Sequence, residues 1–255
     1  MNKWYQTIVP KDYPLDRFFD SPDFLGSVEK DDAVIAYFNV NDDAKEFLKE
    51  LDLSIITEND WEEKWKVFFR PISFAGFVVV PPWHKDEGNL IINPARGFGT
   101  GHHETTQLAG EFVVKAITDG NSKSFLDVGT GSGILAITAK MKNPDMSVTA
   151  IDNDPEAIEN ALENMELNNL QTIAFAEKTI ETINESFDIV VANIISSVLI
   201  PMRDELKKKA NKYLILSGIL VTEQDEFISK MEMDEFTLLE SCSKAEWCAF
   251  LFKRN

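Results

Sequence analysis

Cysteine is nearly absent from this chain of 255 residues. Its two, Cys242 and Cys248, are too few and too ordinarily spaced to staple a disulfide scaffold or ligate zinc, so both read as core thiols. Histidine is scarce as well. His102 and His103 are adjacent, so their side chains point in different directions, and no third ligand lies near them in sequence; no metal is implied. No apolar run approaches the ~20 residues that span a bilayer. Met1-Asn2-Lys3-Trp4-Tyr5 lacks the apolar stretch of a signal peptide, so a cytoplasmic protein with no membrane partner is expected. Basic residues are in deficit, 25 Lys and Arg against 43 Asp and Glu, for a net charge of −18. A phosphate backbone demands a basic surface, so direct nucleic-acid binding is not expected, whereas a basic protein substrate suits such a charge. Repeats and low-complexity segments are missing too.

What is present is a chain that is 44% hydrophobic and 11% aromatic, enough for a sizeable core in one large domain or a large and a small one. Its centre is the run Phe125-Leu126-Asp127-Val128-Gly129-Thr130-Gly131-Ser132-Gly133, which reads as a buried strand and a glycine turn, with a helix from Ile134 to Lys140 behind it. Glycines at alternate positions let backbone N–H groups approach a ligand, and the helix lends its positive N-terminal end. A dinucleotide fingerprint is weakened by Ile134, where its last glycine belongs, and by Asp127, where apolar residues are wanted. Asp127-x-Gly129-x-Gly131-x-Gly133 resembles instead the first motif of class I S-adenosylmethionine-dependent methyltransferases. Ser147 to Ile151 then reads as a second strand ending at Asp152, placed to accept ribose hydroxyls.

Upstream, strands are expected at Lys3 to Val9, Ala33 to Val40 and Leu53 to Thr57, with a loop or short helix between the first two. A helix over Asp42 to Leu51, capped by Asn41, would put Phe47, Leu48 and Leu51 on one face. These make a small α+β unit over residues 1–57. Residues 58–72 read as a linker helix carrying an aromatic stripe of Trp61, Trp65, Phe68 and Phe69, and residues 73–255 as the larger domain. Within it, Gly76 to Val80 and Leu90 to Asn93 are strands. The glycine- and hydroxyl-rich loop from Asn93 to Thr106 leads into a helix over Gln107 to Thr118, with the Thr105 and Thr106 hydroxyls at the cap and first turn. Downstream come a helix from Pro155, a strand at Ile173 to Ala176, the near-continuous apolar strand Phe187 to Ile195 carrying Asn193, a helix from Val198 to Lys209, and a strand from Tyr213 to Leu220. Phe236 to Leu239 and Trp247 to Phe252 pair as an antiparallel edge. In such sheets ligands lie beyond the carboxyl ends of the strands, so Gly129, Asp152 and Asn193 are expected to face one crevice.

Taken together, Phe98 to Thr106, Asp127 to Ile137, Val191-Ala192-Asn193-Ile194, Ser217-Gly218-Ile219-Leu220 and Glu246-Trp247 resemble, in order, the motifs of the bacterial ribosomal protein L11 methyltransferases. The resemblance covers most of the chain. It implies an α/β, Rossmann-like, doubly wound seven-stranded class I methyltransferase domain, preceded by a small α+β substrate-recognition domain and a linker helix. It implies S-adenosylmethionine as cofactor, held by Phe98, Gly99, Thr106, Asp127, Gly129, Gly131, Gly133, Asp152 and Asn193. It implies a monomeric enzyme methylating lysine side chains and the N-terminal amine of ribosomal protein L11, with Asn193 as the catalytic residue aiming the amine. Methylation of a nucleobase or glutamine amide is disfavoured, because Asn193-Ile194-Ile195-Ser196 has neither the prolines nor the aromatic such enzymes carry there. Action on another protein, or a non-catalytic ribosome-binding module, stays open.

Overall fold

The computed structural model describes residues 3–14, 16–19, 21–30, 33–57, 69–94, 99–118 and 122–255. The expected linker helix falls on residues 58–68 outside this set, as does Phe98; residues 69–71 are irregular and Ile72 opens a strand. The chain divides into two compact units, Met1–Phe69 and Arg70–Asn255. No helix among the described residues is long and apolar enough to cross a membrane.

The first unit is a four-stranded antiparallel sheet of β1 (Lys3–Pro10), β2 (Phe24–Lys30), β3 (Ala33–Asn39) and β4 (Leu53–Thr57), in the order β2-β3-β1-β4, with helices α1 (Asp16–Phe19) and α2 (Asp42–Phe47). One face of β1 and β3 supplies Tyr5, Val9, Val34, Ala36 and Phe38 to a core closed by Phe18, Ala44 and Leu48. Phe18 meets Phe38 edge-on with ring centroids 5.2 Å apart. Asn41 caps α2 as expected, its Oδ1 accepting the Ala44 N–H at 2.7 Å. The helix stops at Phe47 rather than Leu51, so Leu48 is buried while Phe47 stays largely exposed. Strand β2 was not expected, because Gly26 and its charged neighbours break the apolar alternation; pairing with β3 supplies what local pattern does not.

The second unit begins with a small sheet of β5 (Ile72–Phe74), β6 (Phe77–Val80) and β7 (Leu90–Ile91), with a 3-10 turn at Pro82–Glu87. Strand β7 is shorter than the expected Leu90 to Asn93 because side-chain amides take over its backbone partners. Asn168 bonds the N–H and C=O of Ile91, and Asn164 Oδ1 accepts the Asn93 N–H.

The main sheet holds β8 (Ser124–Val128), β9 (Ser147–Asp152), β10 (Ile173–Glu177), β11 (Phe187–Asn193), β12 (Ala210–Leu220), β13 (Phe236–Lys244) and β14 (Trp247–Arg254), in the order β10-β9-β8-β11-β12-β14-β13. The first five in that order run parallel, and β14 and β13 close the edge antiparallel. Period-two alternation sends successive residues to opposite faces. Phe125, Val191 and Ile215 enter one core with α3 (Glu104–Thr118) and α4 (Ile134–Lys142). Leu126, Val190 and Leu214 enter the other with α6 (Ser196–Lys209) and α7 (Gln224–Met231). α5 (Pro155–Leu167), capped by Asp154, packs on β9 and β10. Helix α7 had no counterpart in the sequence expectations; it is short, and only Phe227 and Met231 anchor it fully. The sheet order reverses direction at β8, where β9 lies on one side and β11 on the other, so loops after these strands diverge and leave a crevice.

Gly110 of α3 lies beneath the Phe74 ring, where a Cβ would sit 2.5 Å from Cζ. Gly110→Ala is therefore expected to cost about 1–3 kcal/mol of stability through overpacking. Urea denaturation of the two proteins measures it; equal midpoints would mean that Phe74 yields freely.

Candidate functional site

Three parallel strands deliver their polar ends to this crevice. Gly129 follows β8, Asp152 ends β9 and Asn193 ends β11. A cavity of about 610 Å³ opens among them, lined also by Gly99, Thr106, Gly131, Ile194 and Trp247. A second, of about 440 Å³, shares Gly129, Asp152 and Ile194 with it and extends past Asn153 to Lys178 and Thr179.

The glycine turn takes its shape from positive φ angles of 69° at Gly129, 54° at Gly131 and 80° at Gly133. The N–H groups of Gly129 and Thr130 both donate to the Ile151 carbonyl, at 2.9 and 3.0 Å, which fastens the turn to β9. The Gly131 N–H donates to Asp152 Oδ2 at 2.9 Å, and the Asp154 N–H to Oδ1 at 3.1 Å. The strand-end acid is thus aimed by two backbone donors, with an acceptor lone pair left on each oxygen.

Asp127 and Gly133, both expected to hold the cofactor, do not line the cavity. Asp127 is buried beneath the turn, where the Thr130 hydroxyl donates to its Oδ2 at 2.7 Å. Burial pushes its carboxyl up to about 7, against the Thr130 hydroxyl and the Ala136 N–H, which pull downward; the charge of Asp152 adds to the rise. Gly133 packs against Ala161 and Phe175 at the start of α4. Both shape the turn from below.

Helix α3 begins at Glu104, earlier than expected, so Thr105 and Thr106 lie within its first turn and are buried. His103 occupies the cap position, its Nδ1 accepting the Thr105 N–H at 3.3 Å. Asn193 Nδ2 donates to Thr106 Oγ1 at 3.2 Å. Asn193 Oδ1 is buried without a hydrogen-bond partner among the described residues. A buried amide oxygen left unsatisfied costs stability of order 1–3 kcal/mol, so it marks a place for a donor brought from outside.

Several lining residues were not foreseen. His103 stands on the cavity wall with its ring edge-on to Trp247, centroids 5.3 Å apart. In sequence Trp247 reads as the start of an edge strand and as part of the Glu246-Trp247 motif, neither of which places it beside His103. Ile194 presses its side chain against Gly129, and its carbonyl against Gly218, which has φ 91° two residues before the end of β12. An isolated glycine inside a strand pattern was the available signal for that close approach.

A doubly wound sheet with a glycine turn and a strand-end acid at its switch point is the class I methyltransferase fold. A solved example, magnesium protoporphyrin IX methyltransferase from Synechocystis PCC 6803 with bound SAM, superposes with a TM-score of 0.50 over 58% of this chain and 79% of that one, at 18% identity. The family model described as ribosomal protein L11 methyltransferase matches residues 16–255, and the chain belongs to that family. It is 36% identical over 212 residues to the ribosomal protein L11 methyltransferase of Caldicellulosiruptor bescii, covering 80% of this chain and 69% of that protein. The corresponding protein of Ruminiclostridium cellulolyticum is 31% identical over 91% of this chain and 82% of its own length. A crystal structure of the ribosomal protein L11 methylase from Lactobacillus delbrueckii subsp. bulgaricus aligns with a TM-score of 0.63 and 29% identity, over 70% of this chain and 94% of that one.

The buried acid generates a pH signature. Folded protein keeps the Asp127 proton up to about pH 7, whereas an unfolded chain releases it near 3.8. The folded state therefore binds more protons in between, and the contribution of this group to stability falls as pH rises through that window, then levels off. Asp127→Asn removes the titration. Urea denaturation from about pH 4 to about pH 8 should show the variant gaining on the parent up to about pH 7 and no further. Parallel curves would show that Asp127 ionises normally.

Proposed function

We propose that the chain transfers methyl groups from S-adenosylmethionine to amines of ribosomal protein L11, the lysine side chains and N-terminal amine of that substrate. The observation that carries this reading is the buried, unpartnered Oδ1 of Asn193, a residue that lines one cavity with Gly129 and Asp152. The donor set fits the cofactor. Asp152 keeps one free lone pair on each oxygen for two ribose hydroxyls, and the glycine turn leaves its backbone open to close approach. Gly99, Thr106 and Gly131 line the same space. When bound, S-adenosylmethionine supplies an electrophilic methyl on a sulfonium.

The chain's own part is alignment. Asn193 Oδ1 accepts an N–H of the incoming amine and turns its lone pair toward the methyl, while Thr106 fixes the amide from the other side. A lysine side chain, which in water gives up its proton only near pH ~10.4, arrives mostly protonated and must shed that proton. Apolar walls at Ile194, Ile195 and Trp247 desolvate the ammonium, so its proton passes to bulk water as the side chain enters and the neutral amine is the form that meets the methyl. Residues 1–57 serve in this reading as the docking module for the protein substrate, and the net charge of −18 suits a basic partner.

Incubation with methyl-labelled cofactor and unmodified ribosomal proteins tests the assignment. Label on ribosomal protein L11, mapped to its amines, is expected; label on another protein or on none would remove it. Two variants test the residues. Asp152→Ala should weaken binding of the demethylated cofactor by about 1.5–3 kcal/mol in calorimetry, since two charge-assisted hydrogen bonds go together. Asn193→Ala should lower kcat far more than it raises the cofactor Kd. Normal turnover per folded molecule would leave Asn193 only a structural part.

A further inference from the structure

Asn193 can aim an amine only as well as its own backbone is held. The four residues from Asn193 to Ser196 turn from the end of β11 into α6, and the turn is anchored unevenly. At its start, the Ile194 N–H donates to the Ser217 carbonyl at 3.0 Å, and the Ile194 carbonyl fits against Gly218. At its far end the cap residue of α6 is Ile195, which offers no side-chain acceptor to the helix. A 14-residue helix thus begins without the hydroxyl or carboxylate that ordinarily closes its first turn.

The missing anion comes from another element. Glu223 ends a short 3-10 turn, Val221–Glu223, that follows β12, and its Oε2 accepts the Ser196 Oγ hydrogen at 2.5 Å. This places a carboxylate at the first residue of α6, where the helix dipole favours negative charge. The turn that carries Glu223 is itself fixed to the cavity wall, because the Val221 N–H donates to the Glu246 carbonyl at 2.8 Å, next to Trp247. Ile195 and Trp247 line the same cavity, so the Ser196–Glu223 bond links the two segments that carry these walls.

We propose that Glu223 is a positioning residue: by accepting from the Ser196 hydroxyl it tethers the first residue of α6 and holds the Asn193–Ser196 turn so that Asn193 Oδ1 keeps one orientation toward the cavity. The inference rests on the role given to Asn193 under the proposed function. It makes Glu223 act on turnover rather than on cofactor affinity, because the bond lies on the far side of Asn193 from Asp152 and the glycine turn.

The test uses the full chain with Ser196→Ala, Glu223→Ala, Glu223→Gln and the double alanine variant. It measures kcat, KM, calorimetric affinity for S-adenosylhomocysteine, and backbone hydrogen exchange over residues 194–199. Misalignment by a fraction of an ångström should lower kcat about tenfold in either alanine variant. Cofactor affinity should stay within about twofold, and exchange over residues 194–199 should rise. The double variant should be no worse than the singles, because both remove one bond. Glu223→Gln should recover most of the rate, since its amide oxygen still accepts from Ser196. Unchanged kcat in the alanine variants, effects that multiply in the double variant, or cofactor affinity falling in step with kcat would each overturn the proposal. Wild type run alongside separates the causes. Transfer by wild type with unaltered variants defeats the Glu223 role alone; no transfer by wild type defeats the proposed function and this inference with it.

Discussion

The site depends on the place made for Ile194. Its side chain rests where a Cβ on Gly129 would come within 2.8 Å, and its carbonyl rests 2.5 Å from where a Cβ on Gly218 would be. Two glycines flanking β11, Gly129 in the turn after β8 and Gly218 in β12, are what allow the turn after Asn193 to sit so deep in the sheet end. Any larger residue at either position would push that turn outward and carry the Asn193 amide with it. Ile194 also lines both cavities. Packing here sets chemistry: an apolar side chain against one glycine and a carbonyl against another decide where a polar side chain points.

Electrostatics follow from the same depth. Asp127 and Asp152 start from the same chemistry and are put to different uses by their surroundings. Asp152 lies at a strand end with two backbone N–H donors and access to the cavity. Asp127 is sealed under the turn, where desolvation outweighs the Thr130 and Ala136 hydrogen bonds and raises its carboxyl to about 7. One carboxylate is left with acceptor capacity for a ligand; the other pins the turn through Thr130.

Much of the second unit was legible because parallel strands buried on both faces write themselves as apolar runs, and β8, β9 and β11 fall close to where those runs predict. The glycine spacing and strand-end Asp152 and Asn193 were legible for the same reason: topology, not local propensity, fixes what lies beyond a strand's carboxyl end. What escaped was set by tertiary partners. Strand β2 exists because β3 pairs with it, and α7 because Phe227 and Met231 find a core to fill. His103 and Trp247 lie in the motifs Phe98 to Thr106 and Glu246-Trp247, but the pattern did not mark them as cavity walls, which they become when β14 comes alongside α3. Asp127 differs: its place in the motif suggests ligand contact, while folding buries it one layer below the cavity lining.

In the proposed function one crevice aligns two reactants, with Asp152 holding the cofactor's ribose and Asn193 Oδ1 the amine. A crystal structure of the full chain with S-adenosylhomocysteine and a lysine-bearing segment of ribosomal protein L11 tests it most directly. The ribose hydroxyls should lie on the Asp152 carboxylate, with the substrate nitrogen within about 3.2 Å of Asn193 Oδ1 and in line with the cofactor sulfur. An amine held elsewhere, with Asn193 Oδ1 satisfied by the cofactor or by water, would contradict it.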